Sequence, residues 1–163
     1  MEIDGIYIGG YREGTRGRGV EDKNIVAITV ETTGSTRGRA YLKTLNSLMR
    51  TDIEQFVKDH VKTGTIINTD RFKSYCSFNN ELKHIPLNGS NKSDVLPKVH
   101  IVVANLKMWL RGTYNRLPVK HLQRYLDEFT FRFNRRWNLE NIFDKLLTRC
   151  VYTNTITYAE LTG

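Results

Sequence analysis

Three polar residues interrupt apolar patterns in this chain, and their types suit one chemistry. Asp4 lies in the opening run Glu2-Ile3-Asp4-Gly5-Ile6-Tyr7-Ile8, and Asp70 closes the β-branched run Gly64-Thr65-Ile66-Ile67-Asn68-Thr69. Asn105 sits within an apolar helical stripe of Val99, Val102, Leu106 and Trp109. A carboxylate at the end of a core strand stands at the rim of a sheet, where open α/β sheets build their sites. Carboxylate and carbonyl oxygens are hard ligands of the kind magnesium takes, with water filling the remaining positions. Two such ions about 3.5–4 Å apart clamp the attacking and leaving oxygens of phosphoryl transfer. An asparagine on an apolar stripe has a plainer explanation too, as a core residue bonded to backbone. Both readings stand at this point.

The elements that must position these residues follow from periodicity. Residues 2–8 partly alternate and form a first strand, in which Glu2 and Asp4 share a face and Gly5 points away. Residues 9–24 concentrate glycine, with Arg12, Arg16 and Arg18 between, and read as a long loop that is either a phosphate-contacting arm or a solvated turn. Residues 25–30 and 39–45 extend an antiparallel meander. Thr51 and Glu54 have capping-box spacing for a helix over 52–62, with Ile53, Phe56 and Val57 on one side. His60 at the edge of that face reads as structural, and Gly64 closes the turn before the Asp70 strand. Residues 82–87 form a fifth short strand and 88–94 a polar loop.

The remainder is helical. Residues 97–111 carry the Asn105 stripe and a basic neighbouring face with His100, Lys107 and Arg111, and Gly112 is the expected stop. Pro118 fits the first position of a helix through Trp137, whose stripe is Leu122, Leu126, Phe129, Phe133 and Trp137. Lys120, Arg124, Arg132, Arg135 and Arg136 occupy its other faces, and Arg135-Arg136-Trp137 is dense enough to contact a nucleic-acid backbone. A last amphipathic helix spans 140–148. The order β-β-β-α-β-(α)-β-α-α-α predicts an α/β fold with a ribonuclease-H-like core. Its mixed five-stranded sheet is flanked by helices, with further helices at the C-terminus. There the fourth strand runs parallel beside a central first strand, so Asp4 and Asp70 face each other across 66 residues of chain, and Asn105 follows 35 residues later.

Bulk properties narrow the class. A chain of 163 residues, 39% hydrophobic and 26% charged, supports a single globular domain. Its net charge of +8 and pI near 9.6 favour a polyanionic partner. Cys76 and Cys150 have neither metal-ligand nor disulfide spacing, which points to a reducing compartment. No apolar run approaches the ~18 residues needed to span a bilayer, and no secretory leader is present. The abrupt start in a strand suggests a piece of something longer.

At the level of motifs the chain resembles the DDE-type insertion-sequence transposases of the ISXO-like group over most of its length. Glu2-Ile3-Asp4 followed by Tyr7-Ile8-Gly9-Gly10 is similar to that family's opening strand, and Thr69-Asp70 with Tyr75 to its second-aspartate motif. Ala104-Asn105-Leu106-Lys107, with Leu110 and Gly112-Thr113-Tyr114, resembles its third motif in the variant where Asn replaces Glu. The most specific block is Lys120-His121-Leu122-Gln123-Arg124-Tyr125-Leu126-Asp127-Glu128-Phe129, ending Phe131-Arg132-Phe133-Asn134-Arg135-Arg136. Gly5 stands where the family usually carries Glu, and Asn88-Gly89 where a further His often follows the one matching His84. The resemblance implies metal-dependent cleavage and strand transfer of DNA with two magnesium or manganese ions. Asp4, Asp70 and Asn105 would be the catalytic ligands and Glu2 a supporting charge. Lys107, Arg111, Arg132, Arg135, Arg136, Arg16 and Arg18 are the expected DNA contacts. The implied partners are transposon-end and target DNA, with a homo-oligomer left open and no membrane. The implied place is the cytoplasm, or the nucleus of a eukaryotic host. The family's N-terminal DNA-recognition segment has no counterpart here. The expectation is therefore one catalytic domain over 1–163, live or degenerate.

Overall fold

A computed structural model describes residues 1–9, 24–34, 36–70, 72–75, 83–87, 95–114, 117–138 and 140–162. The loop carrying Arg12, Arg16 and Arg18, the 88–94 loop and Cys76 lie outside the described residues. Strands β1 (Glu2–Ile8), β2 (Asn24–Thr33) and β3 (Thr36–Leu45) form the antiparallel meander, with a register shift between Val30 and Thr32. Helix α1 (Arg50–His60) leads to β4 (Ile66–Thr69), a 3-10 turn at Lys73–Tyr75 and β5 (Lys83–Pro86). The sheet order is β3-β2-β1-β4-β5, with β4 parallel to both β1 and β5. This is the mixed sheet with a central first strand expected of a ribonuclease-H-like core. Helices α2 (Pro97–Thr113), α3 (Leu122–Phe133), α4 (Ile142–Tyr152) and α5 (Tyr158–Thr162) complete the described elements.

The two sheet faces bury different partners because strand side chains alternate. Ile6 and Ile8 of β1, with Val26, Ile28 and Val30 of β2, pack under α2 and α3 through Val99, Val102, Leu106, Leu110, Leu122, Leu126, Phe129 and Phe133. Ile3 and Ala27 face the other way and pack with Ile53, Phe56 and Val57 of α1, Ile67 and Tyr75. His60 is structural as expected: Nδ1 hydrogen-bonds the Phe56 carbonyl at 2.8 Å, and the ring lies beside Phe56 and Tyr41.

Several local expectations are corrected. The first helix starts at Arg50, so Thr51 is inside it and Met49 is an N-cap without a side-chain bond. Asp52 instead accepts from Ser47 N (3.0 Å) and Oγ (2.8 Å), and Glu54 pairs with Arg50 at 2.6 Å, which leaves no capping box. Gly112 does not stop α2, which runs on to Thr113; an exposed glycine weakens a helix but does not break it. The predicted helix through Trp137 ends at Phe133, and Trp137 is 83% exposed rather than core. In the last amphipathic helix Phe143, Leu146 and Leu147 are exposed.

The outer edge of β3 is closed by side chains. Asn134 accepts from Ala40 N (2.7 Å) through Oδ1 and donates to Ala40 O (2.9 Å) through Nδ2. Gln123 does the same one turn of pleat along, accepting from Thr44 N at 2.8 Å and donating to Leu42 O at 3.2 Å. Two amides eleven residues apart lie on the same side of a helix, so α3 takes the place of a sixth strand.

Candidate active site

Strand pairing brings the two aspartates together. β4 is parallel to β1 in the register Glu2 to Asn68 and Ile3 to Thr69, and one further step sets Asp70 opposite Asp4. Neighbouring strands are ~4.8 Å apart. Because β4 ends at Thr69, β1 loses its partner on that edge from Asp4 onward, and a cleft of about 70 Å3 opens there. Asp4 and Asp70 line it with Gly5, Leu48, Phe72 and Tyr75. Among the described residues no lysine or arginine lines this cleft.

Each carboxylate is held by its own backbone. Asp4 Oδ1 accepts from the Gly5 N–H at 2.8 Å, and Asp70 Oδ1 accepts from the Phe72 N–H at 3.1 Å, the Asx turn that starts the segment leading to Tyr75. Behind Asp70, Thr69 Oγ1 donates to the Asp70 carbonyl at 2.8 Å and hydrogen-bonds His84 Nε2 at 2.6 Å. Burial lowers the His84 pKa, which keeps the ring neutral near pH 7. With the Thr69 proton committed to Asp70, that pairing makes Nε2–H the donor.

Tyr75 forms the floor. It is 2% exposed, and its hydroxyl is hydrogen-bonded to the Gly5 backbone. Burial first, then the negative charges of Asp4 and Asp70, raise its pKa far above the ordinary tyrosine value of 10.0. Gly5 suits this packing: a Cβ there would meet Leu48 Cδ2 at 2.6 Å and Tyr75 Oη at 3.4 Å, so the Leu48 side chain would have to move. Tyr75, Thr69 and His84 stood at recognised motif positions, but Leu48 carried no sequence signal, and the bond between Thr69 and His84 crosses from one strand to the next.

The remaining predicted residues are distributed as follows. Asn105 is exposed on α2, beside Ile101 (42% exposed) and Met108 (68% exposed); the buried stripe is Val99, Val102, Val103, Leu106 and Leu110. The expectation of an asparagine inside the apolar stripe is therefore corrected. A helix turning 3.6 residues per turn separates 105 from 102 and 106 by enough to leave it outside the seam. Helix α2 covers the sheet face of Glu2 and Asp4, so Asn105 is on their side of the sheet, although it does not line the cleft among the described residues. Glu2 is 5% exposed, and its Oε2 accepts from the Val99 N–H at 2.9 Å, where it serves as the cap of α2. Lys107 and Arg111 are exposed on α2. Arg132 pairs with Glu128 at 3.2 Å. Arg136 Nη1 donates to Phe133 O at 2.7 Å and Nη2 to Gly38 O at 3.4 Å, while Arg135 lies over the Phe131 ring at 3.8 Å. Arg135 and Arg136 sit at the β3 edge, on the opposite side of the sheet order from β4.

Asp4 and Asp70 fit a divalent cation: they are hard oxygen donors that meet in one cleft. Among the described residues no group of three or more His, Cys, Asp or Glu converges on a metal position. No helix among the described residues is long and apolar enough to cross a membrane. A comparison with curated proteins finds no match. The family model of the ISXO2-like transposase domain matches residues 1–134, which include both aspartates, Asn105 and the Gln123–Asn134 clamp, and the chain belongs to that transposase family.

Proposed function

We propose that this domain cleaves and joins DNA strands with two divalent cations, magnesium or manganese, held by Asp4 and Asp70. The observation that supports this best is the shared cleft at the end of β4, where two carboxylates meet. Such ions, when bound, stabilise charge on the transferring phosphoryl group and activate an oxygen nucleophile. Asp4 and Asp70 would hold the ions, and Asn105 would offer a neutral carbonyl oxygen to them. The chain's own work is positioning. The Gly5 N–H aims Asp4, the Thr69–His84 pair fixes the backbone of Asp70, and Tyr75 walls the cleft from beneath. Lys107 and Arg111, exposed on α2, would hold phosphates of the reacting strand. The nucleophile is water in cleavage and a DNA 3′ hydroxyl in strand transfer. The same reading implies the cytoplasm, or the nucleus of a eukaryotic host, and leaves self-association open.

Among the described residues no third acidic group joins Asp4 and Asp70 in a metal-binding cluster, which supports a second reading, a copy that binds DNA without cutting it. Calorimetric titration of manganese separates the two. Asp4→Asn and Asp70→Asn are each expected to abolish binding, Asn105→Ala to weaken it and Asn105→Asp to tighten it. If all variants bind as the parent does, the metal assignment falls. Joining of a labelled end into a plasmid, rather than cutting alone, then separates a transposase from a nuclease on the same core.

A further inference from the structure

The outer edge of β3 carries a second concavity, of about 650 Å3. Arg39 and Tyr41 of β3, Phe131 and Arg135 at the end of α3, and Lys145 and Arg149 of α4 line it. Its cations arrive from three separate elements, so no basic run in the chain announces it. The Phe131 ring carries two guanidinium groups, Arg135 at 3.8 Å and Arg149 at 5.3 Å from its centroid. Arg135 is further tied by donating Nη1 to the Phe131 carbonyl at 3.2 Å. Stacking of this kind fixes guanidinium planes while leaving their N–H groups available.

Among the described residues the cleft sets four cations against one carboxylate. Asp127 is the carboxylate in the lining, and its Oδ1 accepts from Gln123 Nε2 at 2.8 Å. No ion pair to Arg39, Arg135, Lys145 or Arg149 forms among the described residues. Burial, then the charges of Arg149 and Arg39, lower the pKa of Arg135. Like charges held together in a partly enclosed space repel, and an anion offering several oxygens relieves that repulsion through charge-assisted hydrogen bonds. We infer that this cleft binds phosphodiester groups of DNA, at a place distinct from the Asp4–Asp70 site. In the sheet order β3 is separated from β1 by β2 and lies on the side away from β4, so the DNA engaged here is not the reacting phosphate. Lys145 and Arg149 lie beyond the residues 1–134 that match the family, so two of the cleft's four cations come from the helix that follows the matched region. The inference rests on the reading of this protein as one that acts on DNA.

The test is fluorescence anisotropy of a short labelled duplex of arbitrary sequence, titrated in EDTA over a range of salt. Each neutralised phosphate contributes a slope of about 0.9 in log affinity against log salt. Arg39→Ala with Arg149→Ala should therefore lower the slope by about two and weaken binding at every salt tested. Arg39→Lys with Arg149→Lys keeps the charge and should keep most of the slope. Lys58→Ala with Lys62→Ala removes two exposed charges near α1 and controls for net charge. The inference is overturned if the arginine-to-alanine pair leaves the slope unchanged, or if the lysine pair lowers it equally. Manganese titration of the same arginine variant should match the parent. Failure of metal binding in the parent would count against the proposed catalysis and leave the DNA result standing.

Discussion

Replacing Glu2 by glutamine tests whether this residue is a structural cap or a metal ligand. Helix α2 begins with Pro97 in its first turn, its N-cap residue Leu96 makes no side-chain bond, and its first turn holds no acidic residue. The buried Glu2 carboxylate supplies what is missing, at 2.9 Å from the Val99 N–H and 97 residues away in the chain. A hydrogen bond to a charged group is worth about 1.5–3 kcal/mol, and an anion at a helix N-terminus adds about 0.3–1 kcal/mol. Glutamine keeps the shape and an acceptor oxygen but loses the charge, so Glu2→Gln should cost about 1–2 kcal/mol. Glu2→Ala also orphans a buried N–H and should cost about 3 kcal/mol or more. Urea unfolding in EDTA, followed by the fluorescence of half-buried Trp109 on α2, reads both. For a chain of this size Glu2→Gln should lower Tm by about 2–6 °C. A glutamine variant as stable as the parent in EDTA, but with weakened manganese binding, would refute the capping role and restore Glu2 as a ligand.

Two further outcomes follow from the same geometry. Tyr75 has a pKa raised above 10.0 in the folded protein, so the folded state holds its proton more tightly than the unfolded chain. That contribution is complete below pH about 10 and is lost as pH rises beyond it. Urea unfolding should therefore show alkaline destabilisation that Tyr75→Phe reduces, and an unchanged alkaline limb would contradict the burial of this hydroxyl. Asn134→Ala removes both bonds to Ala40 at the β3 edge and should cost about 2–4 kcal/mol, read as an earlier urea midpoint. A cost below about 0.5 kcal/mol, ordinary for a surface change, would show that water replaces the clamp freely.

Strand parity, β-branched runs and helical stripes are local properties, and the sequence alone determined the elements they define. The placement of Glu2 and Asp4 on one face and the Leu122-Leu126-Phe129-Phe133 seam were legible because alternation and 3.6-residue spacing are written in consecutive residues, while the parallel β1–β4 neighbourhood followed from matching the element order to a ribonuclease-H-like core. The motifs also located Asp4, Asp70 and the family. Only the tertiary structure decided what those side chains touch. Asn105 fell outside its stripe because it stands roughly 60° from Val102 and 100° from Leu106 around the helix. Glu2 became the cap of a helix 97 residues away, and Gly5 proved to be shaped by Leu48 and Tyr75. Gln123 and Asn134 close a sheet edge, and Arg39, Arg135 and Arg149 converge from three elements. Each of these depends on contacts between segments distant in sequence, whose distances follow from packing and not from any local period.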